Sequence, residues 1–306
     1  MLSRRQFGQL ALAGVPLSMA LGKIDSTVDG VRLGACTYSF RSFPRTPGTD
    51  NVDAIIQALT ECNAGIIELF SPNVEPAPPA GMHFRGPEAD KARADLRQWR
   101  IATPIDHFQA IAKKFKSAGI DIYAYTMNYR EDFTDEEIDA TFMQSKGLGA
   151  HTIASSTTLE MAKRLAPFAD KHKMLLALHG HSNTKDPNEF SSPETFHKGL
   201  ALSPYFRINL DIGHFFAAGF DPVAFITENH KNITHLHIKD RKKDNGPNTP
   251  LGEGDTPIKA TLVLLRNKHY PIPALIEYEY KGTGTPVEEV KKALAYMKQC
   301  VESTGA

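Results

Sequence analysis

Four short apolar stretches of this sequence end in side chains that can hold a cation or move a proton. They are Leu175-Leu176-Ala177-Leu178-His179-Gly180-His181, Ile208-Asn209-Leu210-Asp211-Ile212-Gly213-His214, His235-Leu236-His237-Ile238-Lys239-Asp240-Arg241 and Ala274-Leu275-Ile276-Glu277-Tyr278-Glu279. Residues two apart in a strand share a face. His179 then pairs with His181, Asn209 with Asp211, His235 and His237 with Lys239, and Glu277 with Glu279. Buried strands are ordinarily apolar to their ends, because a polar group left without a partner there loses its hydration. Imidazoles and carboxylates on inward faces therefore have two accounts, a buried ion-pair network or a site for a divalent cation. Ligands at the carboxyl ends of four successive strands describe the mouth of a parallel barrel.

The rest of the chain supplies the elements such a mouth needs. Strand patterns over 31–40, 64–70, 119–128, 151–156, 174–181, 207–214, 233–240 and 272–280 alternate with helical periodicity over 51–59, 108–118, 134–144, 160–173, 193–202, 222–230, 258–267 and 287–301. This alternation predicts an α/β fold, a single closed (β/α)8 TIM barrel over residues 30–304. An open doubly wound sheet would want a glycine-rich phosphate loop after the first strand, and Thr37-Tyr38-Ser39-Phe40-Arg41 is not one. Asp50 is a candidate cap for the first helix, and Thr134 with Glu137 has the spacing of a capping box. Pro104 interrupts the helical region before 108–118. The Pro- and Gly-rich run 71–87 reads as a long loop over the end of the second strand, which carries Glu68.

The 306 residues, 41% hydrophobic and 23% charged, suit one domain of this kind. Lys plus Arg equals Asp plus Glu at 35 each, so nothing in the charge asks for nucleic acid or a membrane. Residues 1–22 read as a twin-arginine export signal. Ser3-Arg4-Arg5-Gln6-Phe7 precedes the apolar run 10–17, and Ser18-Met19-Ala20 offers a small-residue cleavage site. That run is too short to span a bilayer comfortably, so the expectation is a periplasmic or otherwise exported protein with no stable span after cleavage. The alternative is an ordinary amphipathic helix. Cys36, Cys62 and Cys300 lack metal-type spacing and read as small buried hydrophobes.

In their order and spacing, Leu210-Asp211-Ile212-Gly213-His214, His235-Leu236-His237-Ile238-Lys239-Asp240-Arg241, Leu251-Gly252-Glu253-Gly254-Asp255 and Ile276-Glu277-Tyr278-Glu279-Tyr280 resemble the xylose-isomerase-like barrel superfamily of sugar isomerases and epimerases. The resemblance covers nearly the whole chain after residue 22. It implies a small carbohydrate substrate and one divalent cation held by a residue from each of strands five to eight, typically Glu, Asp, His and Glu. Asp211, His237 and Glu277 match the last three. The fifth-strand glutamate usually opens a Glu-Asn-His run, which here reads His179-Gly180-His181, so His179 stands in the glutamate's place. An imidazole there tilts the site toward Mn, Zn, Co or Fe over Mg. Whether His179 or His181 is the ligand stays open.

The same departure bears on mechanism, because epimerases of this family use opposed glutamates from strands five and eight. The catalytic candidates are His181 or Glu279 as the base that takes the proton α to a sugar carbonyl, and Lys239 or Arg241 at the developing oxyanion. Glu68, Asn128, His214 and Arg241 are candidate substrate contacts. Reprotonating the resulting enediolate gives an isomerase or epimerase; losing a β-substituent gives an exported 3-keto-glycoside lyase. Two rivals use the same barrel. A phosphodiesterase similar to endonuclease IV would want more ligands and a basic surface, and a periplasmic sugar-binding protein would have lost turnover. Members of the family often form oligomers, but no interface is legible here.

Overall fold

A computed structural model describes residues 22–79 and 85–303, so the expected export signal lies outside the described residues except for Gly22. Eight parallel strands close on themselves: β1 Val31–Cys36, β2 Ile66–Phe70, β3 Asp121–Thr126, β4 Thr152–Ser156, β5 Leu175–His179, β6 Phe206–Asp211, β7 Ile233–Ile238 and β8 Ala274–Ile276. Each pairs with its chain neighbours, and β1 pairs with both β2 and β8, which shuts the barrel. A two-residue strand, Thr27–Val28, folds back antiparallel on β1. The barrel is the (β/α)8 fold the alternation predicts, and closure leaves no exposed sheet edge.

The helices cover the outside: α1 Val52–Glu61, α2 Pro87–Ala102, α3 Ile105–Ser117, α4 Asp135–Gly147, α5 Leu159–His172, α6 Pro193–Leu200, α7 Ile212–Ala217, α8 Pro222–Asn229, α9 Ile258–Lys268 and α10 Pro286–Glu302. Pro104 sits between α2 and α3, where it has no amide to give and fixes an extended turn. Ile55, Leu59, Phe108, Phe115, Phe142, Leu165, Phe196, Phe225, Leu262 and Val290 are buried and pack the helices onto the outer faces of the strands. The three cysteines are buried and free. No described helix is long and apolar enough to cross a membrane.

Several elements end earlier than the sequence pattern predicts, and each stop has a local cause. β1 gives way after Cys36 to a 3-10 turn, Thr37–Phe40. β6 stops at Asp211 because that carboxylate caps α7, taking the His214 amide at 2.7 Å, so His214 lies on a helix and not at a strand end. β8 is only three residues long: past Glu277 the backbone turns away from β7, the Tyr278 amide donating to Ser39 Oγ and the Tyr278 carbonyl accepting from Arg41. Asn51, not Asp50, is at the first cap of α1, while Asp50 accepts from the Val52 amide at 3.1 Å. The expected capping box at α4 is half made. Thr134 accepts from the Glu137 amide, but the Glu137 carboxylate turns away to Arg97 and Arg100.

Candidate active site

The carboxyl ends of β5 to β8 bring their polar residues to one point. His179 closes β5 opposite Asn209, and Asp211 closes β6 opposite His237. Glu277 follows β8 directly, with its amide donating to the Ile238 carbonyl at 3.2 Å. The ladder shifts register at Ile208/Asn209 and at Ile67/Glu68, irregularities that re-aim side chains near sites. Gly213 lets α7 press against the end of β7, since a Cβ there would lie 2.6 Å from the Lys239 carbonyl oxygen.

One ligand atom from each of His179, Asp211, His237 and Glu277 lies within 4.8 Å of the other three, and all four residues are buried. Nδ1 of His179 is a buried atom without a hydrogen bond, and Oδ2 of Asp211, Nδ1 of His237 and Oε2 of Glu277 meet only one another and the Lys239 ammonium. A buried polar atom left as His179 Nδ1 is costs about 1–3 kcal/mol, and its aim at two carboxylates and a second imidazole gives the four a common point for a shared partner. Two imidazoles and two carboxylates form a donor set that fits a divalent cation of the Zn, Mn, Co or Fe type. His179 rather than His181 belongs to this cluster.

Lys239 stands beside it. Its Nζ is 2.8 Å from Glu277 Oε2, 3.1 Å from Asp211 Oδ2, 2.5 Å from Glu279 Oε2 and 3.0 Å from His214 Nε2. Three carboxylates around one ammonium leave an excess of negative charge that a divalent cation would offset. Burial would lower the Lys239 pKa, but Asp211, Glu277 and Glu279 drive it above the ordinary range. Burial would likewise raise Glu277, yet Lys239 and His237 hold it well below the usual carboxylate value. Burial keeps His179 well below the ordinary imidazole value, helped by charge on His237, so it is neutral and ready to act as a ligand. At His237 the pull of burial is outweighed by Glu68 and Glu277, which hold its pKa well above the ordinary value, so a cation held there would displace a proton.

A cavity of about 300 Å³ opens above the cluster. His179, His237, Glu277, Lys239, Glu279, His181, His214, Asn128 and Glu68 all border it, whereas Asp211 lies behind Lys239. His181 is the more exposed of the histidine pair, its ring centre 5.1 Å from that of His179 and 5.2 Å from that of His214. His214 is held neutral by burial and by Lys239 on one side; Arg241 lies 2.8 Å away on the other. A neutral imidazole has one acceptor nitrogen, so it takes a bond from only one of these cations.

The structure does not bring Arg241 to the cavity: its guanidinium is engaged by the Gly246 carbonyl, Ser182 Oγ and His214. Asn128 reaches the rim while accepting the Ser156 amide at 2.9 Å. Glu68 sits at the cavity floor, bonded to His235 and His237. Tyr38, Phe70 and Ser155 also line the cavity, and sequence reasoning missed them. Their one available signal was position just after or at the end of a strand.

Comparison with known proteins follows the same pattern. The family model described as xylose isomerase-like TIM barrel matches residues 150–300. The L-ribulose-5-phosphate 3-epimerase UlaE of Salmonella paratyphi C (strain RKS4594) is 30% identical over 103 residues, 34% of this chain and 36% of that protein, so the match spans about a third of the relative. Among solved structures, IolI with a bound zinc atom superposes with a TM-score of 0.63 at 14% identity, over 89% of this chain and 98% of that one. The 3-keto-D-glucoside 4-epimerase YcjR of E. coli gives 0.59 at 13% identity, over 88% and 100%. At such identities the superpositions establish the fold alone.

Proposed function

We propose, from the match of residues 150–300 to the xylose isomerase-like TIM barrel family, that this chain is a divalent-metal-dependent sugar isomerase or epimerase of that superfamily. It works through an enediolate formed α to a sugar carbonyl. The observation that carries this reading is the convergence of four buried ligand atoms, that of His179 without any partner, beside a cavity with further acid–base groups on its wall. A bound cation would supply Lewis acidity at the carbonyl and its neighbouring hydroxyl. The remaining work falls to the chain itself.

His181 enters the cavity after β5 and Glu279 after β8, from well-separated staves of the barrel. Together they would supply two bases to one cavity, where the family resemblance implies a carboxylate at the position of His179. One removes the proton α to the carbonyl, and the other can return it on the opposite face. Lys239 fixes a positive charge where the oxyanion develops. Asn128 and His214 are placed to contact hydroxyls at the rim.

The substrate is read as an uncharged carbohydrate. Among the described residues lining the cavity, Lys239 is the one lysine or arginine, and three carboxylates already surround it. A phosphate dianion would meet Glu68, Glu277 and Glu279 with no free partner. An exported location, proposed from residues 1–22, agrees with this, since sugar phosphates are chiefly intracellular. A second reading, 3-keto-glycoside lyase, is favoured by the imidazole of His181, which can protonate a departing β-substituent.

The test is metal analysis of the purified protein together with activity on free ketoses and 3-keto-glucosides, before and after chelation. Ketose interconversion that is lost on chelation and returns with Mn or Zn is the expected result. Chelator-sensitive release of the aglycone would move the assignment to the lyase. Sugar binding without turnover in either state would make it a binding protein.

A further inference from the structure

Beneath the four-ligand cluster lies a second polar cluster that the proposed chemistry leaves unused. Glu68, midway along β2, is 1% exposed. Its Oε2 accepts from Nε2 of His235 at 2.5 Å, Nε2 of His237 at 2.8 Å and Nδ2 of Asn209 at 3.1 Å. Its Oε1 accepts from Thr126 Oγ1 at 2.5 Å and from the Cys36 thiol at 3.6 Å. Burial opposes the charge on this carboxylate, but the two imidazoles outweigh it and keep the group ionised. A buried carboxylate held by five donors, none of them Lys or Arg, is a built arrangement and not an accident of packing.

Cys36, Glu68 and His237 also lie close enough to share a cation. The contrast with the upper cluster argues against that use. Above, His179 Nδ1 has no partner and the other three ligand atoms meet only one another and Lys239; below, the Cys36 sulfur, both Glu68 oxygens and His237 Nε2 are all hydrogen-bonded. The lower cluster supports, and does not bind.

His237 is the link, because it belongs to both. Its Nε2 faces Glu68, and its Nδ1, 3.2 Å from Glu277 Oε2, faces the upper cluster. A neutral imidazole has one N–H and one lone pair, and the hydrogen bond at one nitrogen decides the role of the other. We propose that Glu68 is a positioning residue, seated by His235 and Asn209, that keeps the N–H of His237 on Nε2 and so presents the Nδ1 lone pair to the cation. The inference rests on the metal-dependent reading above and extends it to residues that never touch the ion. Outer partners of this kind hold ring orientation as well as tautomer and make the ligand more basic.

The experiment compares the full-length wild type with Glu68→Gln and His235→Gln. Zn²⁺ and Mn²⁺ affinities are measured by chelator competition, and the visible absorption of Co²⁺-loaded protein reports the ligand field. Glu68→Gln keeps shape and removes charge; the expected result is affinity about 10–100-fold weaker with an altered Co²⁺ spectrum. His235→Gln loosens the seat of Glu68 and should weaken binding less, by several-fold, so it carries the test if the first variant does not fold. Thermal melts of the metal-free proteins separate this from lost stability. Unchanged affinity and spectrum in the folded variants overturn the inference while leaving the metal site intact. A wild type that takes up no cation overturns the metal reading itself, and the inference with it.

Discussion

His179 is the residue whose identity most affects what the site can do. The family resemblance implies a glutamate at its position, beside the cluster partners Asp211, His237 and Glu277, and it stays neutral because it is buried. Removing one negative charge disfavours a hard cation such as Mg²⁺, which prefers oxygen ligands, relative to Zn²⁺ or Co²⁺. His179→Glu should shift that balance, strengthening Mg²⁺ or Mn²⁺ relative to Zn²⁺ by about tenfold, or about 1.4 kcal/mol. Competitive metal titrations of the two proteins check it; an unchanged preference order would mean that His179 is not a ligand.

At the scale of elements, a largely buried charge network ties α2 to α4 and to the loop after β2. Arg100 of α2 donates to Glu75 in the loop after β2 and to Glu137 of α4, both at 2.7 Å, and Arg97 adds a 2.9 Å bond to Glu137. All but Arg97 are buried. This is why Glu137 abandons the second half of its capping box: a buried bond to a guanidinium outweighs an exposed one to a backbone amide. Taking away one member of a buried pair leaves the others charged and unpaired. Arg100→Ala should therefore cost about 3–5 kcal/mol, read as a lower denaturant midpoint, whereas an exposed pair such as Lys114–Asp53 should cost under about 1 kcal/mol when broken.

For the whole molecule, the ligands come from four strands spread over nearly 100 residues of chain, so the cation would tie together half of the barrel. A ligand that binds only the folded state stabilises it by about 2.7 kcal/mol at a hundredfold excess over its dissociation constant. Loading with Zn²⁺ or Mn²⁺ should accordingly raise the melting temperature by about 5 °C, and chelation should reverse the gain. A melting temperature that ignores both metal and chelator would leave the four-strand cluster without its cation.

The sequence by itself determined the alternation of strand and helix, and hence the closed barrel, because hydrophobic periodicity is local and survives in every unit. It also exposed His179, Asp211, His237 and Glu277, since charge on an inward strand face contradicts the solvation rules of a core and so stands out. Tertiary structure decided what local pattern could not carry. Whether His179 or His181 joins the cluster depends on where β5 ends. That Lys239 meets three carboxylates depends on β6 and β8 flanking β7. Arg241 was drawn off to Gly246 and Ser182 by a loop whose path no spacing records. Glu68 and His235, 167 positions apart in the chain, meet at 2.5 Å only because closing the barrel brings the inward faces of β2 and β7 together across its interior.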